Sequence, residues 1–141
     1  MRPTLVPGLT HRLRYTVPRE KTVPFIYPEN PDFTVMPEVF ATGYMVALME
    51  WCCVEAIKPH LEPGEGSLGT MIEVTHEAAT PPGLTVTVDC RLEQLDGRKL
   101  LFTVEAHDGH DLIGRGRHGR AVVRWDRFNQ KVAEKVAKAG V

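Results

Sequence analysis

Apolar residues in the middle of this chain recur with the period of a helix. From about Thr42 to His60 they stand three and four positions apart, and Pro59 and Pro63 end the pattern. The repeating residues are Met45, Val46, Met49, Cys53 and Ile57. The opposite side also carries apolar residues, namely Leu48, Trp51, Cys52 and Ala56. The pattern therefore predicts one long helix that is buried on nearly all sides.

Beyond this helix the apolar positions alternate with polar ones, which is typical of strands with one buried face. The three inward sets are Ile72, Val74, His76 and Ala78; Val86, Val88, Cys90 and Leu92; and Leu100, Phe102, Val104 and Ala106. Turn residues follow each set, at 81–83, 96–97 and 108–109. We therefore expect antiparallel neighbours along the chain, with a last strand around Gly114 to Trp125.

The two ends of the chain differ from this core. Residues 1–40 are rich in proline, and only His11 to Val17 alternates as a strand would, so this segment is expected to be an irregular arm or lid. At the other end, Asp126 is the expected cap of a short helix over about 126–138, with an apolar stripe at Phe128, Val132 and Val136. No composition break marks a linker, so we expect a single domain over residues 1–141.

A helix that is apolar on most sides needs a sheet that curves around it. The expected fold is therefore α+β, with a long central helix wrapped by a curved antiparallel sheet, the hot-dog architecture. Such a sheet leaves unpaired edge strands, through which two copies of a chain can join. We therefore expect a homodimer.

Composition narrows the classes of partner. The formal net charge is −1 and charges of both signs are mixed along the chain, so nucleic acid is not an expected partner. No apolar stretch reaches the roughly 20 residues that span a bilayer, and the first residues lack the apolar core of a signal peptide. The three cysteines include the adjacent Cys52 and Cys53 and form no CxxC pair, as reduced core residues would. We expect a cytoplasmic protein without a membrane partner.

The chain contains the stretches PEVFATGYMVALMEW, LEPGEGSLGTMIEVTHEAATPPGLTVTV and RAVV, with AHDG and IGRG between them. These stretches resemble the fluoroacetyl-CoA thioesterases. The resemblance covers nearly all of the chain after residue 20. It implies a homodimeric hot-dog enzyme that hydrolyses a small acyl-CoA thioester without metal or organic cofactor.

The resemblance also implies roles for individual residues. The catalytic threonine, glutamate and histidine of the family fall on Thr42, Glu50 and His76. A main-chain substrate contact falls on Gly69, and an arginine near the substrate falls on Arg120. One position departs from the family, because Met36 stands where an aromatic residue covers the acyl pocket. The resemblance therefore does not determine which acyl group the substrate carries, and fluoroacetyl-CoA is one candidate.

Two of these residues are notable from their surroundings alone. Glu50 lies within the most apolar stretch of the chain, so it needs a hydrogen-bonding partner or a cavity, unless the helix turns it to solvent. Strand alternation turns His76 toward the helix, where a lone histidine is more often a satisfied core residue. Facing each other in a dry pocket, the two groups could activate water, or Glu50 could attack and form a transient anhydride.

Thr42 lies at the expected helix start, where free backbone N–H groups and the helix dipole would stabilise a thioester oxyanion. A simple helix cap would equally suit a threonine there. Eight helical residues span about 12 Å, so Thr42 and Glu50 of one straight helix cannot contact the same atom. Either the helix begins after Thr42, or the threonine acts through His76 or from the partner subunit.

Other charged residues suggest weaker hypotheses. Arginines on both sides of the last strand, among them Arg115, Arg117 and Arg120, could bind the phosphates of CoA or form a solvated face. The run from His107 to Asp111 has no second cluster at ligand spacing, so we expect no metal.

Two other functions fit this sequence. A hot-dog hydratase or dehydratase would act on acyl-CoA with a different acid and base pair. A non-catalytic acyl-CoA-binding module would bind CoA thioesters without releasing the thiol.

Overall fold

The computed structural model describes residues 1–141 as one sheet of five strands with a long helix against it. The elements in chain order are β1 (Thr10–Thr16), α1 (Pro31–Thr34), α2 (Thr42–Ile57), β2 (Glu65–Val74), β3 (Thr85–Asp96), β4 (Lys99–His107), β5 (Leu112–Arg124) and α3 (Trp125–Ala139). The structure confirms the expected α+β architecture of a central helix against an antiparallel sheet.

All strand pairs are antiparallel, in the order β1-β3-β4-β5-β2. Strands β3, β4 and β5 form consecutive hairpins, as the turns at 96–97 and 108–109 predict. The prediction that β2 neighbours β3 is wrong, because β2 pairs with β5. The connection from Thr75 to Leu84 is too long for a tight hairpin. It carries the chain from one end of the sheet to β3, beside β1, and leaves β1 and β2 as the edges.

Helix α2 packs its apolar side against the concave face of the sheet. Its buried residues are Met45, Leu48, Met49, Cys52, Cys53, Ala56 and Ile57. The facing strands contribute the predicted inward residues of β3 and β4, all at most 3% exposed. Burial of one such side chain contributes about 1.5 to 3 kcal/mol, so this contact is the main source of stability.

The expected burial on nearly all sides of α2 is wrong for one stripe of the helix. Trp51 is 47% exposed and Val54 is 38% exposed. Ile72 of β2, predicted to face inward, is also 43% exposed. The sheet curves around only part of the helix, so this stripe stays uncovered in a single chain. Trp51 packs beside Tyr15 of edge strand β1, whereas Glu50 lies against Gly69 of edge strand β2.

The arm and the terminal helix largely follow expectation. Residues 19–25 form short 3-10 turns, α1 is a single turn, and the bridge between Thr22 and Phe40 ties the arm to the chain before α2. The prediction that Asp126 caps the last helix is wrong. Arg124 holds the cap position in extended conformation, and Asp126 lies in the first turn, where its carboxylate accepts from the N–H of Arg127. No helix in the structure is both long enough and apolar enough to cross a bilayer.

Candidate active site

Thr42 is the first residue of α2, and its side chain contacts His76. Ala41 occupies the cap position, and no side chain caps the helix. The Oγ1 atom of Thr42 lies 2.7 Å from Nδ1 of His76, which is hydrogen-bond distance. The interpretation of Thr42 as a cap is therefore wrong, because its hydroxyl is paired with an imidazole. Of the alternatives for Thr42, the geometry favours action through His76.

His76 lies two residues beyond the end of β2, and the fold brings it next to Thr42, the first residue of α2. Its Nε2 atom is buried and has no hydrogen-bond partner. Burial lowers the pKa of His76, and an interaction with the backbone of Ala78 opposes this only in part. The imidazole is therefore neutral near pH 7, and one of its nitrogens faces the interior without a partner. Such a group can take up a proton from a bound molecule.

The start of α2 also provides free backbone donors. The first helical hydrogen bond runs from the N–H of Met45 to the carbonyl of Ala41. The N–H groups of the three preceding residues therefore lie outside the helical ladder, at the positive end of the helix dipole. They are suited to a developing negative charge beside Thr42 and His76.

Glu50 lies two turns further along α2 and does not meet His76 within one chain. The helical rise separates Thr42 from Glu50 by about 12 Å. The carboxylate rests against Gly69 of β2, where a Cβ atom on the glycine would come within 2.7 Å of Oε1. The side chain is 42% exposed, on the uncovered side of the helix. The predicted contact between Glu50 and His76 is therefore absent within a single chain, whereas Glu50 and Gly69 do come together.

Arg120 is buried behind Glu50 and is 4% exposed. Its Nε donates to Oγ of Ser67 at 2.9 Å, and NH2 donates to the Ser67 carbonyl at 2.8 Å. Burial lowers the pKa of Arg120, while the charge of Glu50 raises it. The site thus holds a fixed positive charge facing the Glu50 carboxylate.

These contacts argue against Arg120 as a phosphate ligand. A guanidinium at 4% exposure is closed to a large anion from solvent. On the outer face of β5, Arg115 pairs with Glu77 and Arg117 pairs with Glu73. The arginines of this strand are accordingly already paired with groups of the same chain, Arg120 in the interior and Arg115 and Arg117 at the surface.

His118 is a site residue that the sequence analysis did not select. It is 1% exposed, and its Nε2 lies 3.1 Å from NH1 of Arg120 and 4.0 Å from Oε1 of Glu50. Its Nδ1 donates to the carbonyl of Met71 at 2.8 Å. The signal in the sequence is alternation along β5, which puts His118 on the same strand face as Arg120.

Met36 lies in the arm, just beyond α1, and is 44% exposed. Its backbone N–H donates to the carbonyl of Phe33. Val35 beside it is 81% exposed. This part of the arm presents apolar side chains outward and, within one chain, no hydrogen bond ties Met36 to Thr42, His76 or Glu50.

The run from His107 to Asp111 forms a turn held by its own hydrogen bonds. Asp108 is 4% exposed and accepts from the N–H groups of His110 and Asp111 and from the hydroxyl of Thr80. No group of three or more His, Cys, Asp or Glu side chains is arranged to hold a metal ion.

Known proteins share this arrangement of helix and sheet. The family model described as fluoroacetyl-CoA-specific thioesterase matches residues 19–126. The fluoroacetyl-CoA thioesterase of Streptantibioticus cattleyicolor is 61% identical over 121 residues, which cover 86% of this chain and 87% of that protein.

Solved structures agree with that match. A fluoroacetyl-CoA thioesterase variant in complex with acetyl-CoA superposes with a TM-score of 0.91 at 56% identity, covering 93% of this chain and 98% of that one. A Thermus thermophilus protein described as a thioesterase superfamily member superposes with a TM-score of 0.88 at 31% identity, covering 99% and 98% of the two chains.

Proposed function

The chain belongs to the fluoroacetyl-CoA-specific thioesterase family, and from that premise we propose that it hydrolyses a small acyl-CoA thioester to a free acid and CoA. The observation that carries the proposal is the 2.7 Å contact between Thr42 and His76, with the other imidazole nitrogen buried and unpartnered. This pair stands at a helix start with free N–H groups. A thioester carbonyl needs both a base nearby and donors for its oxygen.

The proposed reaction begins when a water gives a proton to the carboxylate and imidazole pair of Glu50 and His76. The water oxygen bonds to the thioester carbon, and the negative charge moves to the former carbonyl oxygen, beside the first N–H groups of α2. Collapse of this intermediate breaks the bond between carbon and sulfur. The thiolate takes the proton back and leaves as CoA. Thr42 orients His76 through its hydroxyl.

We further propose that two copies of the chain complete the site. Glu50 lies about 12 Å along the helix from Thr42, so one chain alone cannot bring it to His76. β2 is an edge strand, and the exposed Met71, Ile72 and Val54 form an apolar surface beside Glu50. Two-fold pairing of β2 with its copy sets the two long helices side by side in opposite directions. Glu50 of one chain then approaches Thr42 and His76 of the other.

A second route uses the same residues. The Glu50 carboxylate could add to the thioester carbon itself, so that CoA leaves from a mixed anhydride, which water then hydrolyses. A single turnover in ¹⁸O-labelled water, followed by mass spectrometry of the protein, detects an anhydride that water opens at the Glu50 carbonyl. Direct attack of water leaves Glu50 unlabelled, whereas an anhydride opened at the Glu50 carbonyl places ¹⁸O in that side chain.

Met36 bears on the choice of acyl group. A flexible thioether fills an irregular gap but lacks the rigid face and polar edge of an aromatic ring. We propose that this enzyme accepts short acyl groups, including acetyl and fluoroacetyl, and discriminates weakly in favour of fluorine.

The three free cysteines support a cytoplasmic location.

Trapping of the released thiol tests the function. Purified protein is incubated separately with acetyl-CoA, fluoroacetyl-CoA, longer acyl-CoA thioesters and an enoyl-CoA. Free CoA, the remaining thioester and bound thioester are measured. Release that is fastest for the shortest acyl groups is expected. Binding without release would support the binding module, and consumption of an enoyl-CoA without thiol release would support a hydratase.

A further inference from the structure

The buried Arg120 is held in an unusual way for a charged group. A buried guanidinium usually pairs with a carboxylate, because burying its charge without a partner costs several kcal/mol. Here its three nitrogens donate to the Ser67 hydroxyl, the Ser67 carbonyl and the His118 imidazole. None of these three acceptors carries a charge, so hydrogen bonding fixes Arg120 in place without neutralising it.

The protonation state of His118 follows from its partners. The Met71 carbonyl can only accept, so Nδ1 carries the proton, and Nε2 is then the acceptor for Arg120. Burial lowers the pKa of His118, the Met71 carbonyl and Glu50 raise it, and Arg120 lowers it. A neutral imidazole with a defined tautomer results.

We propose that His118 is a positioning residue which, together with Ser67, holds the Arg120 guanidinium behind Glu50 as an unneutralised positive charge. This inference rests on the proposed thioesterase function. Arg120 forms no salt bridge. Its positive charge therefore interacts with the Glu50 carboxylate and with negative charge that develops beside that carboxylate. A carboxylate in place of His118 would pair with Arg120 and remove that field.

Two replacements of His118 separate its hydrogen bonds. Asparagine has an amide that can replace the Nδ1 donor to Met71 but cannot reach Arg120. Glutamine is longer, and its amide oxygen can replace Nε2 as the acceptor. We expect His118→Asn to lower kcat by about tenfold to a hundredfold, with a smaller change in KM, because the charged group is no longer held in place. His118→Gln should recover most of kcat.

A double substitution tests whether His118 acts through Arg120. In the background of Arg120→Gln, the change His118→Asn should cause no further loss of kcat, because the group that it positions is already gone. Effects of the two substitutions that simply multiply would overturn the proposal, since they would point to an independent structural role. Thermal unfolding of each variant checks that it is folded.

The variant Ser67→Ala tests the proposal without requiring that the His118 variants fold. It removes only the hydroxyl that accepts from Nε of Arg120, and kcat should fall while the unfolding midpoint stays near that of the wild type. Unchanged kcat in both Ser67→Ala and folded His118→Asn would overturn the proposal, as would equal losses in His118→Asn and His118→Gln. A wild-type protein that releases no CoA would instead overturn the function on which it rests.

Discussion

Gly69 illustrates how a single hydrogen atom can determine the position of the proposed catalytic carboxylate. Only a residue without a Cβ lets Glu50 lie against the strand, because the added atom would come within 2.7 Å of Oε1 and 3.3 Å of Cε1 of His118. The obstructing oxygen ends a flexible side chain, so it can move away at small cost in stability. The site would lose its geometry while the fold stays intact.

We therefore predict that Gly69→Ala lowers kcat by about a hundredfold, with an unfolding midpoint close to that of the wild type. An active Gly69→Ala enzyme would show that the carboxylate does not work from this position.

The lowered pKa of His76 gives a prediction for pH dependence. Burial disfavours the imidazolium, so the neutral form that accepts a proton persists below the ordinary histidine pKa of about 6.5. Activity should be lost only as pH falls through this lowered value. The logarithm of kcat/KM is measured against pH with acetyl-CoA. An acid limb centred above 6.5 would contradict the assignment of His76 as the base.

At this scale the sequence identifies the chemical groups but not their partners. Burial and strand alternation select Glu50 and His76, and the resemblance adds Thr42, Gly69 and Arg120. The partner of His76 within the chain is Thr42, and the partner of Arg120 is His118. Alternation along a strand predicts which residues share a face, but only the folded chain brings Ser67 of one strand to Arg120 of another.

At the scale of elements, the helix and the hairpins follow from local pattern, whereas the place of β2 does not. Apolar period and turn residues predict α2, β3, β4 and β5. The pairing of β2 with β5 depends on a crossover from Thr75 to Leu84, and no local pattern specifies its direction. The uncovered stripe of α2 could not be predicted from the sequence either. Exposed apolar residues and buried core residues give the same pattern in the sequence.

The arm is the element that is expected to set the choice of acyl group. Substitution of Met36 by phenylalanine restores the aromatic residue implied by the family resemblance. The ratio of kcat/KM for fluoroacetyl-CoA to that for acetyl-CoA should rise, because the ring edge can distinguish fluorine from hydrogen. Met36→Leu, which keeps an aliphatic side chain of similar size, is the control and should leave the ratio unchanged. A wild-type preference for fluoroacetyl-CoA of many orders of magnitude would contradict the proposed role of Met36.

At the scale of the whole molecule, the apolar surface beside Glu50 and the separation of Glu50 from His76 have one explanation. Edge strand β2, the exposed Val54 and the half-exposed carboxylate of Glu50 all lie on the side of the chain that the sheet leaves open. A second copy would cover this side, pair β2, and bring together the two halves of the site. We therefore propose that Glu50 of one subunit works with Thr42 and His76 of the other.

Hybrid dimers test this claim most directly. The variants Glu50→Gln and His76→Ala should each be inactive while remaining dimeric. If each site combines Glu50 of one subunit with His76 of the other, a hybrid of the two variants contains one fully intact site and one doubly substituted site. Random mixing of equal amounts makes about half of the dimers hybrid, so thiol release from acetyl-CoA should recover to about a quarter of the wild-type rate. No recovery in verified hybrids would contradict a site shared between two subunits.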